Sequence, residues 1–132
     1  MEGLYPMIHI GIIILLLVGF DMVYIYFMKD MFSNQVRIIQ GEPLLIDKRA
    51  LIGAVICYVL LATGLYYFAI SKKNSSIFDA FLLGLVIYGV FDSTNFLMFR
   101  KWDWRIMVID GLWGGVLFSM VYWVFLRLKI LA

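Results

Sequence analysis

Charge is scarce in this chain. Only 15% of its 132 residues are Asp, Glu, Lys or Arg, and 64% are hydrophobic; soluble domains carry about 25% and about 45–50%. That imbalance excludes an ordinary soluble domain and indicates an integral membrane protein. A net charge of +2 with no basic stripe excludes a nucleic-acid partner. Cys57 is the single cysteine, so no intrachain disulfide and no cysteine metal site can form, and its plain reading is a small apolar residue in a buried helix. His9 is the single histidine and has no second histidine or acid at ligand spacing; it reads as an interfacial residue. There is no nucleophile elbow, phosphate loop or zinc motif, so no metal or other cofactor is expected.

What is present is long apolar runs. Four are long enough to span a bilayer, at about 4–28, 50–70, 77–99 and 104–128. The first is not expected to be a cleavable signal. Glu2 stands where a basic start is usual, the apolar stretch runs past signal-peptide length, and no small-x-small site follows. Lys72, Lys73, Asn74 and Ser75 join the second run to the third, and Arg100, Lys101, Trp102 and Asp103 join the third to the fourth. Connections this short force antiparallel neighbours, so the expected fold is an all-α, four-helix, up-down membrane bundle forming one domain over residues 1–132.

The first connection has its own pattern. From Met28 to Gln40 the apolar residues Met31, Phe32, Val36 and Ile39 recur at helical spacing, with Lys29, Asp30, Asn34 and Arg37 between them. The amphipathic segment 29–40 therefore either extends the first helix or lies in the membrane interface, and Gly41-Glu42-Pro43 ends it. Asp47 and Asp103 read as N-caps of the second and fourth helices, and Ser76 with Asp79 as a capping box for the third.

Basic residues set the expected orientation. Lys29, Arg37, Lys48, Arg49, Arg100, Lys101 and Arg105 lie in the first and third connections, whereas the other side has Lys72, Lys73, Arg127 and Lys129. The positive-inside rule then puts both termini outside the cytoplasm. A short internal likeness accompanies this. Phe20-Asp21-x-x-Tyr24 parallels Phe91-Asp92-x-x-Asn95, and Asp47-x-Arg49 parallels Asp103-x-Arg105, as two pseudo-repeated hairpins would.

Three aspartates stand inside apolar runs. Asp21 and Asp92 each lie seven residues before their runs end, and Asp110 lies about six residues into the last run. At ~1.5 Å per residue all three are roughly 10 Å inside the same membrane face. A carboxylate facing hydrocarbon costs at least ~2.5 kcal/mol, so the three are expected to meet between helices. Each has a hydrogen-bond donor three residues on: Tyr24, Asn95 and Trp113. Such i, i+3 pairs share a helix face, which makes Asp21, Tyr24, Asp92, Asn95, Asp110 and Trp113 the candidate polar cluster or ligand site. Thr94 and Tyr58 are supporting candidates, with Trp102 and Arg105 at the adjoining loop. Gly111, Gly114 and Gly115 remove bulk where another helix would approach. Clustered carboxyls in a low dielectric do not all stay ionised. Protonated, they form a structural lock. Ionised, they bind a cation or act as a general base.

The run Phe91-Asp92-Ser93-Thr94-Asn95, followed by Trp102, Arg105 and Asp110-Gly111-Leu112-Trp113-Gly114, resembles domain-of-unknown-function family 2177. Its members are small four-helix predicted membrane proteins of bacteria and some large DNA viruses. The family pattern is similar to Tyr-Asp-x-Thr-Asn, a Trp in the next loop and Asp-x-x-Trp-Gly in the last helix, with Asp-x-x-Trp in the first. This chain has Phe91 for the Tyr and Tyr24 for that first-helix Trp. The resemblance implies the bundle and the polar cluster and brings no activity with it. Bacterial members often lie beside lipid-modifying genes.

The leading expectation is a non-catalytic membrane component that binds membrane lipid or a protein partner, whether a second copy of the chain or a neighbouring membrane or capsid protein. A viral internal membrane is one setting for it. The alternative is a lipid-modifying enzyme, or a subunit of one, that uses an intramembrane aspartate. A proton or cation pathway in an oligomer is the third.

Overall fold

A computed structural model describes residues 4–131. It is all-α among those residues: α1 (Leu4–Gln40), α2 (Lys48–Leu65) with a terminal π turn (Tyr66–Ile70), α3 (Ile77–Met98) and α4 (Trp104–Leu131). All four helices are long and apolar enough to cross a membrane. The up-down order is fixed by contacts at both ends. At one end His9 of α1 lies against Tyr66 and Phe125, with ring centroids 5.9 and 5.2 Å away, and the Tyr122 hydroxyl is 2.9 Å from Ser75 Oγ. At the other, Gln35 of α1 donates to the Lys101 carbonyl at 3.0 Å and accepts the Asp103 N–H at 2.8 Å.

The amphipathic segment continues α1 without a break. Its inner stripe explains why: Ile13, Leu17, Asp21, Tyr24, Met28, Phe32 and Gln35 are the inward residues, three or four apart along the whole helix. With 37 residues α1 would be ~55 Å long, well beyond a hydrocarbon core of ~30 Å. Gly41, at φ 79°, takes the left-handed turn that ends the helix, and its N–H bonds the Arg37 carbonyl at 2.9 Å. Asp47 accepts from Ala50 N at 2.9 Å, Asp79 from Ser76 N at 2.7 Å and Asp103 from Arg105 N at 2.9 Å, so each of the other helices starts on a carboxylate.

Packing differs along the bundle. The end bearing His9 holds the apolar core, in which Ile13 and Leu17 of α1 meet Leu61, Ala62 and Leu65 of α2 and Leu117, Phe118 and Val121 of α4. The closest approach is between α3 and α4. A methyl group added at Gly84 would strike the Gly114 carbonyl, and one added at Gly114 would strike the Tyr88 ring. At Gly115 an added Cβ would come within 2.7 Å of the Phe81 ring. Lipid tails are as apolar as a helix face, so this close van der Waals contact, with interhelical hydrogen bonds, must hold the helices together. α2 behaves oppositely: between Leu51 and Leu60 every residue except Tyr58 is exposed.

Candidate functional site

The buried Asp21 of α1 and the half-buried Asp110 of α4 are bonded crosswise. The stripe of α1 presents Asp21 and, one turn on, Tyr24; α4 runs antiparallel and presents Asp110 and then Trp113. The Tyr24 hydroxyl donates to Asp110 Oδ1 at 3.2 Å, and Trp113 Nε1 donates to Asp21 Oδ1 at 2.9 Å. The two donor rings stack between the carboxyls, with centroids 4.4 Å apart and planes 9° from parallel. Each donor thus serves the partner helix's acid and not the acid three residues before it. Asp21 is consequently level with Trp113 and Asp110 with Tyr24, so the two carboxyls are offset by about one turn, ~4.5 Å, rather than standing at a single depth.

The third helix contact on Asp21 comes from α2, where the Tyr58 hydroxyl donates to Asp21 Oδ2. Asp21 is 8% exposed and has a donor on each oxygen. Asp92 is the contrasting case. It is 1% exposed, and no donor reaches either of its oxygens among the described residues. The acid that acts on it electrostatically is Asp110. Two carboxylates are acceptors only, so a bond between them requires a proton on one. A proton shared between Asp92 and Asp110 would remove one of the two charges, whereas keeping both ionised with no cation beside them among the described residues would cost several kcal/mol per ion.

Other candidates fall outside this network. Asn95 is half-buried and Thr94 is exposed, and neither side chain bonds an aspartate among the described residues. Ser93 donates to the Gly89 carbonyl of its own helix. Trp102 stands near Phe99, with its indole N–H buried and without a partner among the described residues. Arg105 is exposed and paired with Asp103 at 2.7 Å, away from the buried acids. Its hydrogen bonds hold the Asp103 carboxyl below the usual carboxylate range.

A cleft of about 300 Å³ opens beside the network, between α2 and α3. Asp21 and Asp110 form its polar floor, and Leu61, Ile87 and Phe91 line its sides. Cys57 and Phe91 are exposed, so the mouth lies on the bundle's outer surface. Tyr88 also lines it, and its hydroxyl bonds no described residue. Two residues here were not singled out from the sequence. Tyr88 lies four residues before Asp92, on the same face of α3, which was the signal available for it. Gln35, 4% exposed, ties the far end of α1 to the α3–α4 connection, and its place on the inner stripe was the corresponding signal.

No curated protein and no solved structure matches the chain. Residues 6–126, covering all four helices, the crossed carboxyls and the cleft, match the family described as predicted membrane protein DUF2177, and the chain belongs to that family.

Proposed function

We propose that this protein is a membrane component that takes a lipid-like amphiphile into the cleft between α2 and α3. The observation that carries this reading is an apolar-walled cleft with carboxyls at its floor and its mouth on the bundle's outer surface. A volume of about 300 Å³ is at the lower end for a small-molecule site. It fits a head and a short length of chain, with the remainder among neighbouring lipids. With the basic connections facing the cytoplasm, the cleft draws on the cytoplasmic leaflet.

Binding is favoured over turnover because most of the acids are already engaged as acceptors. Tyr58 and Trp113 hold Asp21, and Tyr24 holds Asp110. The Asp92–Asp110 pair supports a second reading, a lipid-modifying enzyme in which one of these carboxyls transfers a proton. Lipid analysis of the protein purified with its native bilayer tests the first reading. The wild type should hold a lipid enriched over the surrounding membrane, and Cys57→Trp, which fills the mouth, should lose it. Bound lipid of bulk composition in the wild type would remove the proposal. Asp92→Asn tests the second reading, since loss of a wild-type lipid turnover with binding retained would assign the chemistry.

A further inference from the structure

The cleft is selective by charge, and we infer that it accepts a long-chain amphiphile whose head donates hydrogen bonds, a primary ammonium or a hydroxyl, and rejects anionic heads. This rests on the binding reading above and adds the chemistry of the ligand. The polar floor offers carboxyl oxygens, and no lysine or arginine lines the cleft among the described residues. A phosphate or carboxylate head would meet like charge in a low dielectric with no cation to receive it. A donor head meets the opposite situation. Asp92 is 1% exposed with neither oxygen partnered among the described residues, and it interacts electrostatically with Asp110, whose carboxyl lines the cleft.

That arrangement is short of donors by count. Asp110 has one donor, Tyr24, and Asp92 has none among the described residues, so one shared proton still leaves acceptor sites open on the pair. A pair holding a single proton also keeps one negative charge, which an ammonium would neutralise and a hydroxyl would solvate. Tyr88, with its hydroxyl free of described partners, is placed on the cleft wall to hydrogen-bond the same head.

The test uses the intact protein in phosphatidylcholine nanodiscs, whose headgroups carry no N–H or O–H donor. Dodecyl chains bearing a diazirine near the head and ending in a primary amine, a hydroxyl or a phosphate are photolysed in turn. Labelling of peptides containing Leu61 and Ile87 is read against labelling of lipid-facing Leu112 on α4. The amine and hydroxyl probes should label the cleft about tenfold more than the phosphate probe, the size of one charge-assisted hydrogen bond. Asp110→Asn should cut the amine preference towards that of the hydroxyl while circular dichroism stays unchanged. Equal cleft labelling by all three heads, or preference for phosphate, would overturn this inference and leave the binding reading in place. Cleft labelling no higher than at Leu112 with every head would overturn both.

Discussion

The two hairpins of this bundle, α1–α2 and α3–α4, carry similar sequence signals and pack in different ways. In α3–α4, Gly84 and Gly114 bring the backbones into contact, and Tyr88 and Phe81 cover Gly114 and Gly115. In α1–α2, Gly53 and Gly64 have nothing within 4 Å of where a Cβ would stand. The first half of α2 is joined to the bundle chiefly through the Tyr58–Asp21 hydrogen bond. Glycine in a membrane helix is therefore informative only when a neighbour uses the space it leaves. One hairpin is closely packed, whereas α2 of the other stands away from α3, and the cleft lies between those two helices.

Alanine at matched glycines should break the comparison most sharply. Gly84→Ala places a methyl on the Gly114 carbonyl and against Phe118 Cβ at 2.9 Å, so α3 and α4 must separate at a cost of about 3 kcal/mol. Gly53→Ala meets nothing and should be neutral or stabilising by about 0.5–1 kcal/mol. Thermal unfolding in detergent, run side by side, reads both.

Next in size is the joint between the two hairpins. Asp21→Leu strands the Trp113 and Tyr58 donors and should cost about 2–3 kcal/mol, whereas Asp21→Asn keeps one acceptor and should cost about 1 kcal/mol. Equal destabilisation by the two variants would show that the crossed bonds do not hold α1 against α4. Gln35→Ala uncaps the Lys101 carbonyl and the Asp103 N–H and should cost about 1–2 kcal/mol, read as faster proteolysis of the connection around Lys101.

The smallest effect concerns the exposed cap of α4. Hydrogen bonds from Arg105 lower the Asp103 carboxyl in the folded state. Its contribution is therefore present above the ordinary carboxylate value of about 3.9 and is lost as pH falls through the lower folded value. Asp103→Asn should remove a slight loss of stability on acidification below about pH 4, measurable by comparing unfolding curves of the two proteins.

Much of this was legible in the sequence because lipid imposes simple rules. Runs of about 20 apolar residues and short connections fixed four antiparallel helices, and the cost of an intramembrane carboxylate identified Asp21, Asp92 and Asp110 as residues to watch. What stayed hidden was partner choice. Tyr24 and Trp113 lie at i+3 from an acid, and spacing alone cannot distinguish a donor serving its own helix from one reaching across to an antiparallel neighbour. The parallel between Asp47-x-Arg49 and Asp103-x-Arg105 was likewise local: Arg105 pairs with Asp103, while Asp47 caps Ala50. The cleft depends on how far α2 stands from α3, and no pattern in α2 encodes that distance.

The central claim is that Asp92 and Asp110 act as one unit sharing a proton, with Asp110 at the floor of the cleft. Infrared spectroscopy of the wild type and Asp92→Asn in lipid at neutral pH tests it most directly. The wild type should show the carbonyl stretch of a protonated carboxylic acid, and that band should vanish in Asp92→Asn, where the new amide donates to an ionised Asp110. A wild-type spectrum without a protonated carboxyl band, or a band unchanged by Asp92→Asn, would contradict it.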